Sequence, residues 1–321
     1  MSRTTTAPSP FGSVSLRRKA VNGAMSTLVY AAFAAALIPL VWLAITVVSH
    51  GIDRFMVNNN GDHVFNLEFL QQSMRGVYGG SPTGGILHAI WGTLLMTLVA
   101  TIISVPIGLL TSIYLVEYGK GRLKKAVTFF VDVMTGIPSI VAGLFAYALF
   151  TLLVGPGTKT ALTGAVSLSV LMIPVVVRAS EEMLRLVPNE LREASYALGV
   201  PKYLTVMKVV VRTAIAGITT GVTLAIARVI GETAPLLIAV GVADSMNMNI
   251  FDGRMMSLPV YIVTEWQKGS AVCSANADAS CLPQITEYRA WAAALVLIVI
   301  VMLLNLAARI VSRIFSPKTG R

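Results

Sequence analysis

The sequence is short of charged residues. Only 12% of its 321 residues are charged and 55% are hydrophobic, whereas about a quarter of the residues in an ordinary soluble domain are charged. The mean hydropathy of +0.75 agrees with this imbalance. The composition excludes a soluble globular domain and predicts an all-α integral membrane protein.

The sequence also lacks the short motifs of enzymes and metal sites. It contains neither a G-x-S-x-G nor an H-E-x-x-H pattern. The turn GPGTKT at 155–160 lacks the spacing of a phosphate-binding loop. Two cysteines and the dispersed His50, His63 and His88 provide no recognisable set of metal ligands. We therefore expect a non-catalytic chain that binds no metal and no cofactor of its own.

The excess of basic residues does not indicate a nucleic-acid-binding protein. The net charge is +10, but the basic residues form short clusters beside apolar runs, and no DNA- or RNA-binding motif accompanies them. Such clusters are typical of the flanks that hold transmembrane helices in place.

The apolar runs predict six transmembrane helices, because one crossing needs about 20 residues. The first is expected within 24–50, after a disordered cytoplasmic tail at 1–23 and before an extracytoplasmic loop at 51–85. Residues 86–315 are expected to form the membrane core, with another extracytoplasmic loop at about 244–288. Its five spans are predicted at 87–116, 126–154, 161–177, 209–240 and 290–311.

The basic residues also predict the orientation of the chain. Most of the 25 Lys and Arg residues lie in the two termini, after the second span and between the fourth and fifth spans. The loops on the opposite side hold few of them. By the positive-inside rule, both termini are expected to be cytoplasmic.

The most informative stretch is ARVIGETAPLL at 227–237, which carries a cation and an anion in an apolar segment. On a continuous helix Arg228 and Glu232 share one face and meet, although Gly231 and Pro235 mark this helix as interrupted. A charge near the bilayer centre costs about 2.5–3.5 kcal/mol. The pair therefore either serves a transport pathway or pins helices together, and both alternatives remain open.

The first alternative assigns a role to each charge. Arg228 offers an anionic substrate the donors of its planar guanidinium, and Glu232 holds that guanidinium in place. Being anionic, Glu232 also keeps the substrate from binding too tightly to leave. Gly231 and Thr233 lie in the same segment and complete this part of the predicted pathway.

A second interruption is predicted in FFVDVMTGIPSIVAGLF at 129–145. Gly136 and Pro138 break a helix at membrane depth, where free backbone groups are tolerated if they line a cavity or are buried in protein. We therefore include Pro138 and Ser139 in the predicted pathway. Asp132 is also a candidate, with a simple packing kink and a helix-end carboxylate as the alternative.

A short amphipathic helix is predicted at about 188–199, between the fourth and fifth spans. Asn189 is a helix-start residue, and Gly199 followed by proline is a stop signal. A narrow apolar face recurs at helical spacing and suits a groove on a partner protein better than a lipid surface. Its members are Leu191, Ala194, Ser195 and Leu198.

The only two cysteines, Cys273 and Cys281, lie together in the second predicted extracytoplasmic loop. A disulfide between them is expected if that compartment is oxidising. Two free thiols are the alternative.

Three motifs together resemble a known family. Glu193, Ala194, Ser195 and Gly199 resemble the EAA loop of ABC importer permeases, the cytoplasmic coupling helix that docks on the ATPase, with EAS in place of EAA. GIPSIVAGL at 136–144 and RVIGETAPLL at 228–237 extend the likeness to permeases of the PstA type in phosphate-specific ABC importers. The resemblance covers roughly residues 80 to 315 and implies the type I permease fold of ABC importers.

This resemblance implies a permease subunit for ATP-driven import of inorganic phosphate across the plasma (inner) membrane of a bacterium. The implied partners are a second permease of the PstC type, a dimeric ATP-binding subunit that uses ATP and Mg, and an extracytoplasmic phosphate-binding protein. The alternatives are a permease for sulfate, molybdate or phosphonate, a secondary transporter, and a non-transporting membrane scaffold. The residues expected to couple the chain to the ATPase are Glu193, Ala194, Ser195, Gly199, Leu191 and Leu198.

Overall fold

The computed structural model describes residues 15–57, 64–65, 67–273 and 281–315, and within these ranges the regular structure is entirely helical. The chain divides into two compact units between Ser49 and His50. The α-helices are α1 (Leu16–Asp53), α2 (Glu68–Gln71), α3 (Leu87–Ile113), α4 (Gly121–Thr135), α5 (Ser139–Leu153), α6 (Ala161–Arg185), α7 (Asn189–Ala197), α8 (Lys202–Thr205), α9 (Val211–Val229), α10 (Ala234–Ala239), α11 (Leu258–Lys268) and α12 (Ile285–Phe315).

Helix α1 begins before the predicted first span. It starts at Leu16, so residues 16–23 are helical and do not belong to a disordered tail. Arginine and lysine are good helix formers, and the basic cluster at 17–19 therefore continues the helix. The remainder of the predicted tail, residues 1–14, lies outside the described residues.

Among the residues that the structure describes, five helices are long and apolar enough to cross a membrane, and a sixth span results if the bent pair α4 and α5 is counted as one. This agrees with the six crossings that the sequence predicts. The five single spans are Leu16–Met56, Leu87–Tyr118, Ala161–Arg185, Lys202–Val229 and Ile285–Ile310. The fifth predicted span, 209–240, was wrong in its extent, because helix α9 ends at Val229.

Helices α3, α6 and α9 form the centre of the second unit. Gly108 of α3 lies against Val176 of α6, while Gly217 and Gly221 of α9 lie against Met183 and Ala179 of α6. Ser169 of α6 also lies 3.5 Å from the carbonyl oxygen of Ala100 in α3. The order of these contacts shows that α3 runs parallel to α6 and that α9 runs antiparallel to it. The small-residue spacing in α9 thus marks a close-packed helix face.

One end of this bundle is closed by loop segments and a disulfide, and is called the disulfide end below. Cys273 and Cys281 are bonded, with a Cα–Cα distance of 5.9 Å, which confirms the predicted pairing. Arg289 donates to the carbonyl oxygens of Ser81 and Thr83 at 2.6 and 2.7 Å. The amide of Leu282 also donates to the carbonyl oxygen of Gly80 at 2.8 Å, so the two predicted extracytoplasmic loops are joined at this end.

A buried ion pair lies at the disulfide end of the bundle. Glu265 and Arg289 are both almost fully buried and form an ion pair, with 3.6 Å between Glu265 Oε2 and Arg289 Nη1. Burial, together with the negative charge of Glu265, raises the pKa of the neighbouring Tyr261 phenol above its ordinary value, so this phenol stays neutral at physiological pH.

The opposite end of the bundle carries α7 and is called the α7 end below. A separate apolar cluster packs the segments on either side of α7 against α3, α6 and α9. Two π-helical turns, Tyr114–Tyr118 and Val206–Val210, lie beside it. The cluster is formed by Ile113, Leu184, Val187, Val206, Val210, Ala214 and Ile218.

Candidate functional site

The first break predicted at membrane depth separates α4 from α5. The two helices meet at 107°, and Pro138 lies between them with an extended backbone, at φ −58° and ψ 136°. Proline has no N–H to continue the helix, and it also disfavours helical backbone in the residue before it. Gly136 and Pro138 are both exposed, while Ser139 is half-buried at the start of α5.

The second break separates α9 from α10. Helix α9 ends at Val229, and the amide of Glu232 donates to the carbonyl of Val229 at 3.1 Å, as in a turn. Pro235 then occupies the first turn of α10, where its missing N–H costs nothing. Arg228 and Gly231 are exposed, whereas Glu232 and Thr233 are half-buried.

This second break overturns the predicted contact between Arg228 and Glu232. Charges four residues apart meet only on a continuous helix, and here the helix ends between them. Among the ion pairs of the described residues, neither Arg228 nor Glu232 takes part. The guanidinium is therefore not held by the carboxylate four residues later in the chain.

The helices that follow the two breaks pack directly against each other. A methyl group placed on Gly143 of α5 would lie 2.7 Å from the Cα and the carbonyl oxygen of Pro235 in α10. Only glycine allows so close an approach of the two backbones. The two motifs at 136–144 and 228–237, which are distant in sequence, thus form one structural unit.

Asp132 belongs to a charged network between α4 and α6. Its carboxylate forms an ion pair with Arg178. Arg178 also pairs with Glu181 at 2.8 Å, and Glu181 pairs with Arg185 at 2.6 Å. Sequence reasoning missed Arg178 and Glu181, although their spacing of three on one helix was a usable signal. The pathway role of Asp132 stays a prediction.

Helix α7 spans Asn189–Ala197, within the limits predicted for the coupling helix. Gly199 has a φ of +74°, a conformation that suits the residue after a helix end. Leu191, Ala194 and Leu198 are exposed, and Leu198 is 83% exposed. These side chains are available for contact with another protein.

Ser195 departs from the predicted apolar face of α7. It points inward, is 8% exposed, and its Oγ lies 2.8 Å from Thr205 Oγ1. The predicted face is therefore divided, with one small polar side chain that attaches the helix and three outward side chains. Glu193, on the outward side, is exposed.

Arg192 and Glu117 attach α7 to the rest of the bundle, and sequence reasoning missed both roles. Arg192 Nε and Nη2 donate to Glu117 Oε1 at 3.1 and 2.9 Å. Arg192 also donates to the carbonyl oxygens of Leu184 and Val187 at 3.0 and 2.6 Å. Because residues 117 and 192 lie on different elements, no local spacing rule indicates this contact.

Comparison with known proteins places the chain among transport proteins. A family model described as "Binding-protein-dependent transport system inner membrane component" matches residues 104–321. A Mycobacterium tuberculosis protein (strain CDC 1551 / Oshkosh) named "Phosphate transport system permease protein PstA 1" is 45% identical over 305 residues, which cover 95% of this chain and 92% of that protein. A Pasteurella multocida protein (strain Pm70) named "Phosphate transport system permease protein PstA" is 39% identical over 296 residues, which cover 91% of this chain and 95% of that protein.

Two solved structures share the fold. An inward-facing structure of the MetNI methionine ABC transporter matches with a TM-score of 0.56 and 21% identity, covering 72% of this chain and 95% of the matched chain. A bacterial alginate ABC transporter matches with a TM-score of 0.55 and 13% identity, covering 91% and 96%. At such low identity these matches establish the fold alone, which is that of an ABC importer permease.

Proposed function

This chain belongs to the family of binding-protein-dependent transport system inner membrane components, and on that basis we propose that it is the permease subunit of an ATP-driven importer of inorganic phosphate. The observation that carries the proposal is the 45% identity, over 95% of the chain, to a phosphate transport permease. The same relationship argues against sulfate, molybdate or phosphonate as the substrate. A secondary transporter would have no use for a docking helix such as α7, and a scaffold would gain nothing from a charge inside a span.

The importer is expected to need three kinds of partner. The family description implies an ATPase and a substrate-binding protein. We propose in addition that a second permease of the PstC type completes the path, that the ATPase is a dimer that uses ATP and Mg, and that the binding protein delivers phosphate on the extracytoplasmic side. This chain then performs no chemistry and supplies part of the path and the mechanical link.

The proposed orientation places the α7 end in the cytoplasm. Arg185, Arg192, Lys202 and Arg212 all lie at or near this end, which agrees with the positive-inside rule. The disulfide at the opposite end suits an oxidising extracytoplasmic compartment. Both termini are then cytoplasmic if the chain crosses the membrane six times.

Helix α7 is proposed to dock on the ATPase. The exposed Leu191, Ala194 and Leu198 would enter a groove of that partner, with Glu193 at the edge of the contact. Gly199 reverses the chain immediately afterwards, and Ser195 fixes the helix to the residues before α9. Movement of the ATPase is thereby passed to α9, which carries Arg228.

Arg228 is proposed to contact phosphate on the path. Its side chain is exposed at the end of an apolar span and forms no ion pair with an acid that the structure describes. This guanidinium is therefore free to pair with an anion from a substrate or another subunit. Its guanidinium donates two parallel hydrogen bonds to an oxyanion. Gly231, Glu232, Thr233, Pro138 and Ser139 are proposed to complete this region of the path.

The test is phosphate uptake by proteoliposomes that contain the chain with its second permease, its ATPase and the binding protein. Arg228→Gln should abolish uptake while the complex still assembles and hydrolyses ATP. Arg212→Gln, at the other end of the same helix, is the matched control and should retain uptake. Wild-type uptake by Arg228→Gln would refute the role of Arg228, and a wild-type complex that imports sulfate instead of phosphate would refute the substrate.

A further inference from the structure

A polar cleft lies between α9 and α12, away from the two broken helices. Its volume is about 70 Å³, enough for several water molecules or a small tetrahedral anion, because one water needs about 10–15 Å³ on the same measure. The cleft is lined by Thr220, Thr223, Leu224, Asn305, Ala308 and Arg309.

Two polar residues of this cleft lie in a helix that is otherwise mostly apolar. Asn305 and Arg309 belong to the span Ile285–Ile310, in which the most apolar 18 residues have a mean hydropathy of 2.6, the highest value among the described spans, and Arg309 is the last residue but one of this span. Amide and guanidinium groups in such a span are rare and mark substrate pathways. An arginine that only reached toward lipid headgroups would not need an amide and two hydroxyl groups beside it.

The cleft lies on the same exposed face of α9 as Arg228. Thr220, Leu224 and Arg228 are all exposed and follow at intervals of four residues, which places them along one side of the helix. Eight residues of helix separate Thr220 from Arg228 by about 12 Å. Because α9 runs from the α7 end toward the disulfide end, the cleft is nearer to the α7 end.

The cleft presents both hydrogen-bond donors and hydrogen-bond acceptors. The hydroxyl groups of Thr220 and Thr223 already donate to the carbonyl oxygens of Ala216 and Thr219, at 2.9 and 2.8 Å. Their oxygens therefore present acceptor lone pairs. Arg309 is exposed and pairs with no acid that the structure describes. It supplies donors only, and the Asn305 amide supplies donors and an acceptor.

We infer that this cleft is a second anion-binding station, which receives hydrogen phosphate after Arg228 on its way to the α7 end. The inference rests on the proposed phosphate transport. Arg309 and Asn305 bind the unprotonated oxygens of the anion, and the threonine oxygens accept the hydrogen bond of its P–OH group. Sulfate has no such proton at physiological pH, so the cleft discriminates against it. A single cation holds the anion weakly enough for release.

The first test compares matched charge removals in the reconstituted importer. Arg309→Gln should lower the maximal rate of phosphate uptake about tenfold, because hydrogen bonds from a charged donor to the anion are lost. The control is Arg313→Gln, which removes the same charge one helical turn further along α12, outside the cleft. Equal uptake by the two variants, whether normal or reduced, would overturn the station.

The second test measures binding in the cleft directly. Cys273 and Cys281 are bonded to each other, so Asn305→Cys introduces the only free thiol of this subunit. Millimolar inorganic phosphate should slow alkylation of this thiol by a neutral maleimide in the purified complex, whereas chloride and sulfate should not. Equal labelling in phosphate and chloride would overturn the station, and equal protection by sulfate would overturn its selectivity.

Threonine variants test the acceptor role without removing a charge. Thr220→Val keeps the shape of the side chain and should reduce the discrimination between phosphate and sulfate in uptake. Thr213→Val, also exposed on α9 but outside the cleft, is the control and should change nothing. If the wild-type complex imports phosphate and Arg309→Gln imports it at the same rate, only the anion-binding station is refuted. If the wild-type complex imports no phosphate, the proposed function itself is refuted.

Discussion

Glu117 and Arg192 hold in place the helix that is proposed to contact the ATPase. The side chain of Glu117 is 6% exposed and that of Arg192 is 12% exposed, so their attraction is screened less than that of a surface pair. Lys202 adds a further link, because its ammonium group donates to the backbone carbonyl of Glu117 and lies 4.8 Å from the centre of the Tyr118 ring. Helix α7 and the start of α8 are thus both attached to the π-helical turn that follows α3.

We predict that Glu117→Gln weakens coupling between ATP hydrolysis and transport. The amide keeps an oxygen acceptor for Arg192 but loses the charge, which reduces the strength of these hydrogen bonds by about 1–2 kcal/mol. The quantity to measure is the number of phosphate ions imported per ATP hydrolysed in proteoliposomes. It should fall while ATP hydrolysis continues.

The matched control for this prediction is Glu190→Gln. Glu190 is exposed on α7 and forms no ion pair among the described residues, so its charge should not matter for the attachment of the helix. An unchanged ratio in Glu117→Gln, or an equal fall in both variants, would show that the buried ion pair does not serve coupling.

The charged residues also show how far sequence reasoning reaches at this scale. Arg228 could be identified as a candidate site residue because a single cation in an apolar run is visible in the sequence. Its supposed contact with Glu232 was wrong, since spacing rules assume a continuous helix and this one ends at Val229. The contact of Glu117 with Arg192 joins distant elements and depends on packing that no local pattern encodes.

At the scale of elements, the two short helices α5 and α10 depend on one close approach. Gly143 meets the backbone of Pro235, and Gly164 of α6 meets the side chains of Val240 and Leu236. Helices whose backbones approach this closely gain many dispersion contacts and leave no room for an added methyl group. The relative position of the two broken segments therefore depends on Gly143.

We predict that Gly143→Ala separates α5 from α10. The new methyl group would lie 2.7 Å from backbone atoms of Pro235, which cannot move independently of their helix, so overpacking should cost about 1–3 kcal/mol. The measurement is the thermal unfolding midpoint of the purified complex, followed by tryptophan fluorescence. Phosphate uptake should fall as well, because both breaks are displaced.

Gly23→Ala is the control for that substitution. Gly23 is also helical and has no atom within 4 Å of the position of the added methyl group. Alanine at this position should leave the thermal unfolding midpoint unchanged or raise it slightly, since glycine weakens a helix by about 1 kcal/mol. A midpoint for Gly143→Ala as high as that of the control would contradict the close packing of α5 and α10.

Local chemistry made these elements predictable in part. Proline and glycine end helices for reasons that depend on the residue itself, so both breaks could be placed from the sequence. The bend of 107° between α4 and α5 and the contact with α10 could not, because they result from packing among α5, α6 and α10. The start of α1 at Leu16 was missed because polar composition is a weak guide to where a helix begins.

At the scale of the whole molecule, the membrane character follows from composition alone. A chain with this proportion of apolar residues must bury them in lipid, and its backbone polar groups must then be satisfied within helices. The joining of the two predicted extracytoplasmic loops could not be predicted, since the sequence places two cysteines in one loop but does not indicate which carbonyl oxygens Arg289 binds. Contacts between segments this far apart in the sequence can be identified only from the structure.

The orientation of the whole chain gives the last prediction. Phe251 and Leu186 are both well exposed. Phe251 follows Ile250, whose carbonyl accepts from Leu162 at the start of α6, and Leu186 directly follows the end of α6. The two residues therefore lie at opposite ends of one spanning helix. Each cysteine variant, Phe251→Cys or Leu186→Cys, carries one free thiol because the native cysteines are bonded.

A membrane-impermeant maleimide should label Phe251→Cys in right-side-out vesicles and Leu186→Cys only in inside-out vesicles. The physical reason is that the basic residues of the α7 end resist translocation across the membrane. Permeabilised vesicles, in which both variants should be labelled equally, provide the control for reactivity. The reverse pattern would place α7 outside the cell, beyond the reach of a cytoplasmic ATPase, and labelling of both from one side would mean that α6 does not cross the membrane.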